Sequence, residues 1–485
     1  MLGKLWTYAR DAEHNVKLSY LFTITFWSCR SIIFQQVLSG YVFVLTQSNE
    51  PVGMVKGIQG VVQMIAAIPG GWACDRFRRD TILKISSVLG VFCALLSVIA
   101  FYMGHLMMIY VAFGFWGIFC ALQGPALEAL FADSIPNGER SFPITIKHML
   151  MNTAMVAGPG LCIIFFLIYG DSWNLVGLQY VLIFGTIIGV PPLVLLYFFN
   201  DDLAYENYTQ TCTLKPRALS FVDEDGVLEF AVTDDETSLS KSPAKESSKL
   251  LGASPKPAAT STLTSESVAS PTSAITNENT FLCFGPRHVP YLLFFADFVI
   301  CNGAGMTISF FPVFFQHDYG LTPSQVNILY FVQPLLIVVL SYFTQRVSTV
   351  TGTIETVVAT RIFATLCLGA MAFVTPLPVE IGLFLLRSGF MRCSEPLRTS
   401  LLMDYVPQHL RGRWNSLEGL TQFTYSGSAV VGGYLIERHG YRFCFFITAV
   451  IYVVGVAIEG LLVPIIRSHH RRLQQQAKSA VVKLA

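Results

Sequence analysis

Long apolar runs alternate with short polar turns over most of the chain. Twelve runs are about 20 residues or longer, the length that an α-helix needs to cross a hydrocarbon core of about 30 Å. They cover residues 18–46, 53–74, 81–103, 106–131, 143–169, 175–199, 287–316, 323–345, 353–375, 379–403, 413–437 and 440–465. The pattern predicts an all-α polytopic membrane protein with twelve transmembrane helices, called spans 1 to 12 below.

Residues 200–285 interrupt this pattern between spans 6 and 7. An acidic patch, "VDEDGVLEFAVTDDE", is followed by a tract rich in Ser, Thr, Pro and Lys. The segment has too few apolar residues to offset the entropy of ordering the chain, so we expect a largely disordered linker. The predicted organisation is an N-terminal six-helix bundle (1–199), the linker (200–285), a C-terminal six-helix bundle (286–466) and a tail (467–485).

Lysine and arginine are concentrated in the loops on the N-terminal side of the membrane. Those loops and the tail contain Lys4, Arg10, Lys17, Arg76, Arg78, Arg79, Lys84, Arg140, Lys147, Arg346, Arg411, Arg413, Arg467, Arg471 and Arg472. In the loops assigned to the opposite side, the sequence has few lysines or arginines beyond Lys56, Arg438 and Arg442. Because positively charged loops remain in the cytoplasm, both termini and the linker are predicted to be cytoplasmic.

The choice of membrane is left open between the plasma membrane and an endomembrane of the vacuolar or lysosomal kind. One short motif bears on it. "ESSKLL", which begins at Glu246 and ends at Leu251, has the spacing of an acidic-dileucine signal that a sorting adaptor would bind.

Composition narrows the classes of function. Of 485 residues, 53% are hydrophobic and 13% are charged, and the formal net charge is +1, so no basic stripe indicates nucleic acid. The eleven cysteines are scattered without a CxxC pair. No nucleotide loop, metal cluster or nucleophile–base pairing stands out, which argues against an enzyme and against a cofactor or metal.

The two halves share a sequence repeat. "GPALEALFADSIPNGERS" (124–141) aligns without a gap to "EPLRTSLLMDYVPQHLRG" (395–412). Identical residues pair at an offset of 271 positions, among them Pro125 with Pro396, Asp133 with Asp404, Pro136 with Pro407, and Arg140 with Arg411. Internal repeats of this kind are typical of secondary transporters that are built from duplicated bundles.

Several motifs resemble those of the major facilitator superfamily. "PGGWACDRFRRD" (69–80) resembles its signature loop between helices 2 and 3, with Gly71, Asp75, Arg76, Arg78 and Arg79 at the matching positions. "LQGPALEALFAD" resembles its helix-4 pattern, and "GSAVVGGYLIERHGYRFCFF" (427–446) resembles its corner between helices 11 and 12. The resemblance implies two pseudo-symmetric six-helix bundles around a cavity lined by spans 1, 4, 7 and 10.

The resemblance also implies a secondary transporter that works by alternating access, but three departures leave the details open. Arg346 stands where the second half would repeat Asp75, and Cys120 and Ala121 occupy the region in which proton-coupled members often carry an arginine. "AGPG" (157–160) matches the antiporter pattern only in part. Efflux of hydrophobic compounds and a non-transporting receptor that kept the fold are the alternatives.

Charged and small residues near the cytoplasmic ends of the spans are predicted to form a gate. An aspartate there can cap a helix or pair with an arginine, and such a contact would hold the two halves in one state. Gly70 and Gly71 would let neighbouring helices approach closely. The predicted gate residues are Gly71, Asp75, Arg76, Arg79, Glu128, Asp133, Arg140, Asp404 and Arg411.

Charges in the middle of apolar spans are the candidates for the substrate site. Span 10 contains "LLRSGFMRCSEPLRTSLL" (385–402), and Arg392, Glu395 and Arg398 fall on one face of its helical wheel. Arg30 and Asp297 lie midway along spans 1 and 7. An unpaired charge at the bilayer centre costs about 2.5–3.5 kcal/mol. These five residues are therefore expected to bind the substrate or to pair with one another.

The chemistry of these side chains favours an organic anion or zwitterion, because guanidinium groups bind carboxylate and phosphate in a bidentate manner. Glu395 and Asp297 are the candidates for carrying a proton. A structural ion pair between Arg30 and Asp297 is an alternative.

Four further ionisable residues in or beside the spans are not assigned to the substrate site. His148, Glu418, Glu459 and Arg361 are interpreted as packing or interface residues. The predicted partners are a small-molecule substrate, the lipid bilayer and H⁺, with no nucleic acid, and the protein is expected to be a monomer.

Overall fold

The computed structural model describes residues 13–135, 141–204, 285, 288–406 and 411–468. Within these ranges the regular structure is entirely helical, and ten helices are long and apolar enough to cross a membrane. Nearly all of the predicted linker, the motif from Glu246 to Leu251, Arg140 and the end of the tail lie outside the described residues.

The N-terminal half contains the first six spans. Span 1 consists of two helices, His14–Ile33 and Gln36–Thr46. Spans 2 to 5 are the single helices Glu50–Arg76, Arg79–Met103, Leu106–Asp133 and Ser141–Tyr169. Span 6 consists of Leu175–Ile188 and Val190–Leu195, followed by the 3₁₀ turn Leu196–Phe198.

The C-terminal half repeats this arrangement. Span 7 consists of Val289–Ile308 and Phe311–Tyr319, and span 10 of Leu377–Cys393 and Glu395–Tyr405. Spans 8, 9, 11 and 12 are Pro323–Thr351, Thr353–Met371, Arg411–His439 and Tyr441–Gly460. Helices occupy all twelve predicted spans, so the predicted fold class is confirmed. Span 10 is divided into two short helices and span 11 begins with the polar sequence "RGRWNSLEG", so neither is among the ten apolar helices.

The first span of each half is interrupted at the same place. In spans 1 and 7, a helix of 20 residues is followed by a two-residue break and a shorter helix. Pro312 near the start of the second helix removes a backbone donor and ends the continuous helix in span 7. Span 10 is interrupted at Ser394, just before Pro396, whereas its repeat partner, span 4, is continuous through Pro125.

Hydrogen bonds join the two halves at the end of the bundle opposite the first described residues, called the far end below. The backbone N–H of Ser324 donates to Asp171 Oδ1 (2.9 Å). The backbone N–H of Asn49 donates to Glu437 Oε2 (2.7 Å), and the Tyr441 hydroxyl donates to Asn49 Oδ1 (2.8 Å). Turns of one half are thus tied directly to helix ends of the other.

Small residues let spans 2 and 11 approach each other near this end. A Cβ atom on Gly53 would overlap the carbonyl oxygen of Ala429, and one on Gly57 would overlap Val430 Cγ2. Near the other end of span 2 the packing is looser, since a Cβ on Gly71 would meet no atom of the described residues within 4 Å. Close packing between the halves therefore follows the glycines of the first part of span 2.

Gly53→Ala should lower the thermal stability of the purified protein, because the added methyl group overlaps a backbone oxygen that moves only if span 11 shifts. Overpacking of this kind costs about 1–3 kcal/mol. The measurement is the melting temperature in detergent. Gly427→Ala is the matched control, since a Cβ there meets no described atom within 4 Å. Equal melting temperatures for the two variants would contradict the close approach.

Candidate substrate site

A cavity of about 250 Å³ lies between the two halves, beside the breaks in spans 1 and 7. Its polar lining includes Arg30, Lys56 and Gln59 from the N-terminal half and Gln333, Arg392 and Tyr425 from the C-terminal half. A second cavity of about 310 Å³ extends into the C-terminal half and shares Gln333, Arg392 and Tyr425 with the first. The two cavities adjoin and form one central site.

Contacts between the halves close the central site toward the far end. Gln36 Nε2 donates to Asn327 Oδ1 (2.7 Å), and both side chains are buried. Asn327 Nδ2 in turn donates to the carbonyl of Pro323 (2.8 Å), so its orientation is fixed. Beyond this pair, the rings of Phe43 and His317 lie 5.9 Å apart. The described contacts therefore separate the cavity from the far end.

Arg30 lies in the first helix of span 1, one turn before the break. Its guanidinium stacks on the rings of Trp27 and Phe34, at 5.3 Å and 4.7 Å from their centroids. Its Nη1 lies 3.8 Å from Cys120 Sγ. Cation–π contacts contribute about 0.5–2 kcal/mol each. The rings thus position the guanidinium without neutralising its charge.

Lys56 is the second cation of the cavity, and its assignment to the loops is wrong. It lies within the helix Glu50–Arg76 of span 2 and is half-buried. Its Nζ donates to the carbonyl of Phe34 (2.7 Å), a residue of the break in span 1. The ammonium therefore supplies a donor where the helix is interrupted, as a backbone carbonyl at membrane depth requires. Lys56 and Arg30 lie close enough to repel each other electrostatically.

Arg392 faces the cavity from span 10 on the other half. Its side chain is exposed to the cavity and makes no hydrogen bond or ion pair with a described residue. Its charge acts on Glu395 and on Tyr425 nearby. Over the described residues, the lining of the first cavity thus contains three cations and no carboxylate.

A second group of charges, called the charge cluster below, lies in the C-terminal half. The Arg361 guanidinium, only 1% exposed, contacts Asp297 Oδ1 (3.5 Å), Glu395 Oε1 (3.0 Å) and Glu459 Oε1 (3.1 Å). Arg398 contacts Asp297 Oδ2 (3.3 Å) and Glu395 Oε2 (3.3 Å). Spans 7, 9, 10 and 12 are joined by these five side chains.

The charge cluster corrects two interpretations made from the sequence. Arg361 and Glu459 are not packing or interface residues, because Arg361 lies at the centre of the ion pairs and Glu459 is one of its partners. The alternative ion pair between Arg30 and Asp297 is wrong, because Asp297 contacts Arg361 and Arg398 instead.

The signal for these residues was present in the sequence. Arg361 and Glu459 lie in the apolar runs "VVATRIFATLCL" and "VGVAIEGLL". A charge at such depth is a functional candidate by default. The resemblance implies a cavity lined by spans 1, 4, 7 and 10, so it does not point to spans 9 and 12.

The predicted gate residues lie on the N-terminal side, and the contacts described among them join spans of the same half. Arg79 forms an ion pair with Asp133, and Lys147 Nζ contacts Glu128 Oε1 (2.7 Å). Arg76 is exposed. These described pairs connect spans 3, 4 and 5 and do not bridge the two halves.

The rest of the predicted gate is described only in part. A Cβ on Gly70 would lie 3.2 Å from the carbonyl oxygen of Ala121, so this glycine rather than Gly71 packs against span 4. Arg140 lies outside the described residues. Asp75, Asp404 and Arg411 lie in helices, but their side chains are not among those described, so their role stays a prediction.

Comparison with known families identifies the chain. The model of the Major Facilitator Superfamily matches residues 18–245 and 293–484, which include nearly all of both six-helix halves. The chain belongs to the Major Facilitator Superfamily. The resemblance seen in the loop between spans 2 and 3 is confirmed, and the protein is an integral membrane protein of a transporter family.

Solved structures of this superfamily share the fold. A D-xylose–proton symporter has a TM-score of 0.61 at 14% identity, over 92% of this chain and 96% of that one. The nucleoside transporter NupG has a TM-score of 0.60 at 11% identity, over 93% and 99%. A bacterial homologue of the human lysosomal transporter Spinster has a TM-score of 0.57 at 13% identity, over 93% and 96%. Identities this low show the fold alone.

A curated relative matches a shorter part of the chain. A Na⁺, Li⁺, K⁺/H⁺ antiporter of Planococcus maritimus is 29% identical over 156 residues, which are 32% of this chain and 35% of that protein. The match thus spans about a third of the relative's length, and the ion specificity of the antiporter belongs to that protein.

Arg361→Ala should destabilise the protein strongly, because Glu459 would lose its ion-pair partner, and Asp297 and Glu395 would share Arg398 alone. Removing one partner of a buried ion pair costs about 3–5 kcal/mol. The measurement is the melting temperature in detergent. Adding Glu459→Gln should restore part of the loss, since it removes a buried carboxylate that has lost its partner. A double variant no more stable than Arg361→Ala would contradict the coupling between the two residues.

Proposed function

We propose that the protein is a secondary transporter that moves a small organic anion by alternating access between its two halves. The observation that supports this substrate class is the lining of the first cavity. Arg30, Lys56 and Arg392 converge on it from both halves, and its described lining contains no carboxylate. Carboxylate and phosphate groups bind guanidinium in a bidentate manner, which fits Arg30 and Arg392.

The cost of placing positive charges in a membrane supports an anionic ligand. A central charge costs about 2.5–3.5 kcal/mol to place in a membrane. Cavity water can hydrate the three cations while the site is open. An anion that replaces this water would neutralise them in surroundings of low dielectric constant, where charges attract strongly. Gln333 and Tyr425, which line both cavities, can donate further hydrogen bonds.

The size and polarity of the site support a small solute. Small-molecule sites measure about 300–1,000 Å³. Of the two adjoining cavities, one of about 310 Å³ lies at the lower end of that range and the other, of about 250 Å³, lies below it. The three cations and several amide side chains of the first cavity suit a compact polar ligand, and Asp297 and Glu395 line the second cavity. A large hydrophobic efflux substrate would leave these groups without partners, which is unfavourable.

Alternating access requires that the far end open and the other end close. The bonds Gln36–Asn327 and Asp171–Ser324 join the halves at or near the far end and would have to break. With cytoplasmic termini, as predicted from the loop charges, the closed far end faces the exterior or an organelle lumen. The described contacts then support an inward-facing state.

Ligand-dependent thermal stability tests the substrate class. The probes are lactate, succinate and benzoate as anions, xylose and uridine as neutral solutes, and choline as a cation. We expect an anion to raise the melting temperature of the wild type, and the increase to be lost in Arg392→Ala. Hydrogen bonds to charged groups contribute about 1.5–3 kcal/mol, so binding should weaken by about 10- to 150-fold.

Arg438→Ala is the matched control, because its guanidinium stacks on Tyr434 outside the central site. This variant should show the same ligand-induced increase as the wild type. Stabilisation by xylose or uridine alone, unchanged in Arg392→Ala, would instead contradict the preference for an anion. Binding of an anion without any flux into proteoliposomes would favour the receptor alternative.

Lys56→Gln separates the charge of this side chain from its hydrogen bond. The glutamine amide can still donate toward the Phe34 carbonyl, but the positive charge is removed. We therefore expect anion binding to weaken by about tenfold or more, while the melting temperature of the unliganded protein changes little. Binding is measured by isothermal titration with the same carboxylates. Unchanged affinity would show that Lys56 serves the helix break alone.

A further inference from the structure

The three carboxylates of the charge cluster have different surroundings. Asp297 contacts both Arg361 and Arg398, and so does Glu395. Glu459 contacts Arg361 alone among the described residues, through Oε1. Its other oxygen, Oε2, accepts no hydrogen bond from a described residue, although the side chain is 0% exposed. Glu459 is therefore the least compensated acid of the cluster.

The charge balance singles out the same residue. Two guanidinium groups balance two of the three carboxylates, and Asp297 and Glu395 each lie against both of them. A buried ionised oxygen without a donor is costly, since an unsatisfied polar group loses about 1–3 kcal/mol and a charged one loses more. One proton on Glu459 Oε2 would remove the excess charge.

We infer that Glu459 is a proton-binding site of the transport cycle, and that it takes up one proton when an anion binds at Arg392. The inference rests on the proposed function. It also moves the proton from Glu395 and Asp297, the candidates named from the sequence, to span 12.

The groups around Glu459 can be named for each neighbouring span. They are Asp297 from span 7, Arg361 from span 9, and Glu395 and Arg398 from span 10. Arg387 of span 10 is a further buried cation nearby, but its guanidinium donates to the Tyr452 hydroxyl of span 12 (2.7 Å) and makes no ion pair with a described residue. On span 11, the charged side chains that the structure describes are Glu437, Arg438 and His439, at the far end. The local balance is thus set by the charge cluster itself.

Arg392 links this site to the cavity. It lies close enough to act electrostatically on Glu395. Before an anion binds, the positive charge of Arg392 acts on Glu395 and offsets the excess negative charge that Arg361 and Arg398 leave on the cluster. An anion bound to Arg392 neutralises the positive charge of its guanidinium. The carboxylates of the charge cluster are then in excess by one negative charge. A proton from bulk water that binds Glu459 Oε2 restores the balance. Anion and proton would then cross the membrane together.

Proton uptake on ligand binding tests this inference directly. Isothermal titration of the purified wild type with lactate, benzoate and succinate, in two buffers of different ionisation enthalpy, counts the protons taken up. We expect about one proton per bound anion, because binding and protonation are reciprocally coupled. Glu459→Gln should bind the anion with close to no proton uptake. In proteoliposomes it should keep anion exchange and lose accumulation driven by a pH gradient.

Glu380→Gln is the matched control. Glu380 is another fully buried carboxyl of the C-terminal half, and neither of its oxygens has a hydrogen-bond partner among the described residues. It lies in the first turn of span 10, away from the charge cluster. This variant should take up about one proton per anion, like the wild type.

The outcomes distinguish the two proposals. If the wild type binds none of the three carboxylates, the proposed function fails, and this inference with it. Binding without proton uptake by the wild type overturns this inference alone, as does full proton uptake by Glu459→Gln. Should Glu459→Gln not fold, Glu459→Asp replaces it. That variant keeps a carboxyl and should take up a proton with a shifted pH dependence, and an unchanged pH dependence would overturn the assignment.

Discussion

The fully buried guanidinium of Arg361 holds together four of the six spans in the C-terminal half. A charge inside the hydrocarbon region persists only where it is paired or hydrated, and three carboxylates from spans 7, 10 and 12 meet this requirement for Arg361. The break at Ser394 divides span 10 between Arg392, which is open to the cavity, and Glu395, which belongs to the charge cluster. Paired and unpaired charges are thereby separated by three residues.

The N-terminal half meets the same constraint in another way. Arg30 is stacked between aromatic rings, and Lys56 donates to the carbonyl of Phe34 in the break of span 1. Neither contact removes the positive charge from the cavity. The first spans of the two halves are both interrupted, but they serve different purposes. The break in span 1 provides the carbonyl that Lys56 contacts, whereas span 7 contributes Asp297 to the charge cluster.

Duplication of a six-helix half explains the helices that the two halves share, but it does not explain the charged residues of span 10. The first helices of spans 1 and 7 have the same length, and spans 4 and 10 carry equivalent prolines. At the 271-residue offset, however, Arg392, Glu395 and Arg398 correspond to Ala121, Gly124 and Leu127. The two halves therefore place different chemistry on similar helices. A half with free cations facing a half with a near-balanced cluster suits a site that binds an anion and a proton together.

The sequence by itself determined the twelve spans, the two halves and the depth of Arg30, Asp297, Glu395 and Arg398. Each of these depends on neighbours along the chain, since an apolar run of about 20 residues crosses a membrane whatever packs against it. Only the tertiary structure decided the partners. Arg361 and Glu459 are 98 residues apart in sequence, and Lys56 reaches a carbonyl of another span. Hydropathy gives the depth of a charge but not the rotation of one helix against the next, and that rotation decides which charges meet.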